Sequence, residues 1–388
     1  MNKSILTIYL GMWMLYSLQG TLYSRGSLIS QTLLAVIMIV SIYYCIYANL
    51  KYKLPTPLKI LTVLLFAWTI CSFITSISGI SVRKHDLLKT IYMSQLPIYV
   101  FYVFSRKKIL YETNIKIWFF VFMIMAFISY FESRYLGLQE AAAKVNTGDD
   151  ITNNAGYVIL SLLPLLPLFH RKPFIQYLLL FICMLYVLLG FKRGAIISGL
   201  ICSVWMFFRS FRDRGNSKAK KNITRIFMTL ITIIAIVLVI QSLLSTSSYF
   251  NTRIEKTLQG DFSGRSEMYD AFFNYYINQT NMFHFLFGNG ADATVKIGGH
   301  HAHNDWLEIA IDNGLIVLFL YAFYWISLFI KFFKGKKDSI YTMMMGMFII
   351  IYFLKSFFSM SYLNTTLYAT CALGYALANY EPQNAFVR

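Results

Sequence analysis

Apolar runs about twenty residues long recur along almost the whole chain, separated by short basic segments. A helix needs roughly 20 apolar residues to cross the hydrocarbon core of a membrane. Runs of about that length are predicted at 5–20, 28–50, 58–80, 87–105, 115–131, 155–170, 174–190, 194–210, 225–246, 306–330, 339–358 and 363–380. In lipid every backbone N–H and C=O must find an internal partner, and a continuous apolar run achieves this as a helix. Barrel strands would alternate apolar and polar residues, and these runs do not. The expectation is an all-α, polytopic integral membrane protein of about twelve transmembrane helices, a single membrane domain over residues 1–388.

Charge orients the spans. Only 13% of residues are charged, against roughly 25% in a soluble domain, too few to clothe a water-facing surface. The net charge of +18 would suggest nucleic acid on a soluble protein. Here the charges lie between apolar runs and not on one face, so no nucleic-acid partner is expected. Membrane proteins hold excess Lys and Arg in short cytoplasmic loops. With the N-terminus inside, 22 of the 35 basic residues fall on the inner side, and the densest cluster, 209–225, lies between spans eight and nine. Both termini are therefore expected inside. The run starting just after Lys3 has no cleavage pattern before Gly20 and is expected to stay as an anchor. Cys45, Cys71, Cys183, Cys202 and Cys371 all sit in apolar runs with no CxxC, and read as small buried hydrophobes.

Two stretches are not spans: an outer loop at 132–154 and a longer one at 247–305, between spans nine and ten. The second holds four of the six histidines. Loops longer than about 15 residues are usually functional or disordered. Met268, Phe272, Tyr275 and Tyr276 recur at helical spacing, which predicts an amphipathic helix over 266–279.

Candidate chemistry gathers in three places. Gly298-Gly299-His300-His301-Ala302-His303-Asn304-Asp305 leads into span ten. An imidazole at the outer boundary can act as a general base or bind substrate; the plainer reading is solvated histidines ahead of a helix capped by Asn304 or Asp305. His-His-x-His also suits a metal, but no Cys or carboxylate pair stands at ligand spacing, so no metal or other cofactor is expected. Glu308 and Asp312 follow at i and i+4, either as functional acids in a span or as favourable charges at a helix N-terminus. Lys192-Arg193-Gly194 forms a tight outer turn, with Gly194 expected to let substrate approach the backbone. Ser263-Gly264-Arg265 opens the loop helix, where a guanidinium and free N–H groups would make an anion site. Two arginines and a histidine in three outer segments suggest a phosphate-containing substrate, with Lys192, Lys296, His300, His301, Asn304 and Glu308 as further contacts. Lys355, near the outer end of span eleven, is a secondary candidate.

These patterns resemble the bacterial O-antigen polymerase/ligase superfamily. Arg193-Gly194, Ser263-Gly264-Arg265, and His303-Asn304 followed after nine residues by Gly314-Leu315-Ile316 carry the resemblance, from about residue 155 onward. It implies a GT-C-type glycosyltransferase of the bacterial inner (cytoplasmic) membrane, with the loop at 247–305 in the periplasm and no metal or nucleotide sugar. The implied donor is a polyprenyl-diphosphate-linked glycan and the acceptor another glycan or a lipid. Arg193 and Arg265 would grip the diphosphate and His303 would activate the acceptor hydroxyl. Family ligases carry Gly-x-x-Gly after the nine-residue spacer, where this chain has Val317. That tilts the reading toward a repeat-unit polymerase, with which a chain-length regulator would be expected. A ligase, a transporter or flippase, and a non-enzymatic scaffold are the alternatives.

Overall fold

In the computed structural model, residues 2–19, 22–24, 26–77, 86–143, 156–190, 192–212, 265–336 and 339–380 are described, with isolated positions between 227 and 255. Apart from an isolated bridge between Gln19 and Tyr23, the described residues are helical or irregular. Among the described residues, six apolar helical stretches are long enough to cross a membrane: Leu28–Lys51, Thr56–Thr75, Leu87–Arg106, Glu112–Tyr135, Asp305–Phe333 and Ile340–Phe358.

The helices before the loop are α1 (Asn2–Ser17), α2 (Leu28–Lys51), α3 (Thr56–Ile77), α4 (Asp86–Gln95), α5 (Pro97–Arg106), α6 (Glu112–Ala143), α7 (Gly156–Leu160), α8 (Pro173–Leu189) and α9 (Arg193–Arg212). Helix α2 shows the inverted logic of a lipid-facing element. Ile39, Tyr43, Ile46 and Leu50 are exposed, whereas Ser30, Ser41 and Ala48 face inward. Ser41 is bonded to the Tyr9 hydroxyl at 2.9 Å.

Two expected spans before the long loop are built differently from a plain helix. The run at 87–105 is α4 and α5, divided at Leu96 because Pro97 lacks an N–H and suits a first helical turn. The run at 155–170 is α7 followed by a 3₁₀ helix, Leu163–Phe169, containing Pro164 and Pro167. Its seven residues are buried, and the Gln176 amide donates to the Leu166 carbonyl at 3.2 Å. Helix α6 runs to Ala143, so much of the expected outer loop at 132–154 is helix. The run at 225–246 lies almost wholly outside the described residues.

The core is formed by α3, α5, the 3₁₀ helix and the last three helices: α13 (Asp305–Phe333), α14 (Ile340–Phe358) and α15 (Leu367–Tyr380). Helix α15 carries small residues against α5, and a β-carbon at Gly374 would stand 2.6 Å from the Ile98 carbonyl oxygen. That allows a backbone approach of the kind that stabilises helix pairs in lipid. At the far end of this pair Arg106 donates to Ala378 O, and the Tyr380 hydroxyl donates to Lys331 O.

Candidate functional site

The segment before α13 contains α10 (Arg265–Ile277), α11 (Met282–Phe287) and α12 (Ala293–Gly298). In α10, Phe272 and Tyr276 are buried while Tyr275 is exposed. The Tyr276 hydroxyl donates to Phe285 O at 3.2 Å, and burial pushes its pKa up to about 12.

Helix α13 is broken where this segment folds onto it. Gly314 has φ 79° and ψ 179°, a conformation open essentially only to glycine. The break frees carbonyls in the preceding turn, and loop donors take them up. Asn289 N donates to Ile311 O at 2.8 Å, and Gly290 N to Asp312 O at 3.0 Å. Gly288, at φ 88°, faces Gly314 so closely that a β-carbon on either would fall 2.3 Å from a backbone oxygen of the other strand of chain.

The two carboxylates on the first turns of α13 hold the same loop. Glu308 is buried and accepts from Ala302 N at 2.7 Å and from the Thr294 hydroxyl at 2.9 Å; His301 Nδ1 stands 2.8 Å from its Oε1. Asp312 accepts from Asp292 N and Thr294 N, both at 3.1 Å. Both acids therefore act on loop geometry. Asn304 is the cap of α13, accepting from Trp306 N at 2.9 Å and Leu307 N at 3.3 Å.

His303 precedes this cap in the left-handed region, φ 51°. Only a few per cent of non-glycine residues adopt such a φ. Its carbonyl accepts from the Tyr269 hydroxyl at 3.4 Å, and the same hydroxyl donates to Phe357 O at 3.2 Å. Tyr269 thus ties α10 to the start of α13 and the end of α14.

These segments enclose a cavity of about 1340 Å³. Lys192, Arg193, His303 and Asn304 line it, with Lys355 from α14 and Ser266 and Tyr269 from α10. Its further walls include Met93, Met125, Ile197, Phe357 and Leu363. Among the described lining residues there are three cationic side chains and no carboxylate. The described lining thus combines cationic side chains with an apolar flank.

Other expected site residues lie elsewhere. The His300 ring packs edge-on against Phe272, Lys296 is exposed on α12, and His301 and Glu308 sit behind the loop. None of these four lines the cavity. Arg265 opens α10, one residue before the lining residue Ser266; Ser263 and Gly264 lie outside the described residues. Among the described residues no three His, Cys, Asp or Glu side chains gather to fit a metal ion. Gly194 lines the cavity, and a β-carbon there would stand 2.2 Å from the Tyr157 hydroxyl, so tyrosine packs directly against this glycine.

Asp305 has a role its sequence position did not reveal. It is fully buried and accepts from Ser361 N at 2.7 Å, from the Tyr321 hydroxyl at 2.6 Å, from Tyr362 N at 3.2 Å and from the Ser361 hydroxyl. It therefore clamps the connection between α14 and α15, which forms one wall of the cavity. The available signal was an acid directly after a cap at the mouth of an apolar span.

Residues 178–322 match the O-antigen ligase family model. Over this segment the chain is similar to the O-antigen ligase family. The resemblance to the O-antigen polymerase/ligase superfamily holds over the stretch that contains Lys192, Arg193, Arg265, His303, Asn304 and Gly314. Tyr157, Lys355 and the α14–α15 connection complete the cavity from outside the matched stretch. Val317, the departure from Gly-x-x-Gly, is fully buried in the main core and acts on helix packing. No curated protein matches the chain.

Proposed function

We propose that the protein is a membrane glycosyltransferase of the GT-C type that joins polyprenyl-diphosphate-linked oligosaccharide repeat units at the outer face of the bacterial inner membrane. The observation that supports this best is the cavity's charge. Three described cations and no carboxylate line it, within and beside the stretch similar to the O-antigen ligase family. An apolar flank beside those cations suits a lipid carrier whose headgroup is a diphosphate.

In this reading Arg193 and Arg265 hold the diphosphate, with Lys192 beside them. Arginine presents paired donors that match phosphate oxygens. His303 accepts the proton of the acceptor hydroxyl. The acceptor oxygen bonds to the anomeric carbon while the bond from that carbon to the phosphate oxygen breaks. The lipid diphosphate leaves with the electron pair, and the fixed cations stabilise its growing charge, the part a divalent ion plays elsewhere. A single displacement inverts the anomeric centre. Glu308 and Asp312 contribute by holding the loop that presents His303.

Twelve spans with both termini inside, and a chain-length regulator as partner, belong to the same reading. The choice of a second lipid-linked repeat as acceptor rests on Val317 at the expected second glycine.

The test is glycan chain length in a strain lacking the native protein. Wild type is expected to give a ladder of repeats. Arg193→Ala, Arg265→Ala and His303→Ala, at matched abundance, are expected to leave single repeats, since removing one such stabilising group typically costs about 10²–10³ in rate. Long polymer retained on the polyprenyl carrier in the mutants would make the protein a ligase instead. Wild-type ladders from all three would overturn the site.

A further inference from the structure

Lys355 lies in the last turn of α14, inside an apolar span, and is 5% exposed. Its ammonium has three donors. One is given to the Asn364 carbonyl at 3.0 Å. The rings of Tyr157 and Tyr352 lie 5.1 Å and 5.5 Å from Nζ, at distances where an aromatic face attracts a cation. Among the described residues no carboxylate stands within ion-pair distance of Lys355. Asp305 is close enough to be felt, but its oxygens are engaged by Ser361, Tyr321 and Tyr362.

A lysine charge within a span is costly to bury and marks a functional site by default. Packing does not explain this one, because a methionine of similar length would fill the space without the charge. The two aromatic faces keep the ammonium in place and leave its remaining donors to the cavity it lines. Lys192 and Arg193 line the same cavity, so Lys355 adds a third cationic side chain to the described lining. A ligand bearing several negative oxygens can accept from Lys355 and from the other cations of this lining together.

We propose that Lys355 is a further direct ligand of the diphosphate, and the most deeply buried of the three described cations in the cavity. The proposal rests on the reading that the ligand is a lipid diphosphate. The site then spans two parts of the chain: the cations of the matched stretch on one side, and α14, beyond it, on the other. Lys355 is a binding residue and moves no proton.

The experiment uses the full-length protein in lipid nanodiscs, with a polyprenyl diphosphate and the polyprenol of equal length as probes. Wild type, Lys355→Met and Lys355→Arg are compared by binding and by thermal melting. Wild type is expected to prefer the diphosphate. Lys355→Met is expected to weaken the diphosphate about ten- to a hundredfold, the scale of one charge-assisted hydrogen bond, and to leave the polyprenol unchanged. Lys355→Arg keeps the charge and is expected to fall between. The unliganded Met variant should melt close to or above wild type, because it removes a buried charge that has no carboxylate within ion-pair distance among the described residues. Undiminished diphosphate binding by Lys355→Met would overturn the role assigned to Lys355 and leave the wider reading standing. A Met variant that melts far below wild type, or loses both probes alike, would make the lysine structural. A wild type that binds both probes equally would overturn the diphosphate reading itself.

Discussion

A methyl group at Gly194 would stand 2.2 Å from the Tyr157 hydroxyl and 3.5 Å from the ring carbon that bears it. Tyr157 also presents its ring to Lys355, so this one glycine sets where a cavity wall stands. Gly194→Ala is expected to destabilise the protein by about 1–3 kcal/mol, the usual range for overpacking, and to shorten the glycan ladder. Adding Tyr157→Phe removes the clashing oxygen and should recover most of the melting temperature. If the double variant melts no higher than Gly194→Ala, the clash is not the cause. His303 allows a similar separation of backbone from chemistry. Asparagine tolerates the left-handed region better than most residues but supplies no base at neutral pH. His303→Asn should melt within about 0.5 kcal/mol of wild type, as surface substitutions do, yet yield only single repeats. A His303→Asn variant that still polymerises would show that the imidazole is not the base. At this scale the sequence was partly legible. Arg193 and His303 stood out as charges in tight outer segments, and they line one cavity. His301 and Glu308 stood out equally, but the motif does not reveal that they bind each other and the loop, because that depends on the backbone turning back at residues 299–303.

Helix α13 is the element on which the site is hung. Its first three turns carry Asn304, Asp305, Glu308 and Asp312, which together receive donors from the preceding loop, from the helix itself and from the α14–α15 connection. The apolar period predicted the helix, and Gly314 was visible at fixed spacing from Asn304. The break at Gly314 was not visible, because glycine within a span also serves close packing. Prolines at 164 and 167 left the run at 155–170 apolar while turning half of it into 3₁₀ helix. The charged residues of 132–143 hid a continuation of α6, although Leu, Gln, Glu and Ala are good helix formers. Gly314→Ala and Gly288→Ala are expected to cost about 1–3 kcal/mol each from the positive φ alone. The backbone contacts at 2.3 Å add to this, since neither partner is a side chain that can swing away. Both variants should accumulate poorly in membranes, measured by immunoblot, and the survivors should melt below wild type. Wild-type abundance and melting for Gly314→Ala would mean that α13 runs straight through this point.

For the whole molecule, charge and apolar length made the class of protein legible, while the cavity was not. Its walls come from positions as distant as Trp13, Met125, Arg193, His303 and Tyr368, and no local pattern brings those together. The basic loops lead to the expectation that the end carrying the cavity faces outward, and this has a direct test. Lys296 is exposed on α12 before α13, and Lys334 is exposed just after it. Beyond its break at Gly314, α13 continues over 315–333, about 28 Å at 1.5 Å per residue, close to the roughly 30 Å hydrocarbon thickness of a membrane, so the two positions are expected on opposite sides. The native cysteines give little background: four are buried, and Cys45 is half-buried within α2. Lys296→Cys is expected to react with a membrane-impermeant maleimide in intact spheroplasts, and Lys334→Cys only after lysis. The reverse pattern would turn the cavity toward the cytoplasm and remove the outer-face, lipid-linked donor from the reading. Labelling of both in intact spheroplasts would mean that α13 does not cross. Protection of Lys296→Cys by added polyprenyl diphosphate is not expected, because Lys296 lies outside the cavity, which makes its labelling a measure of topology alone.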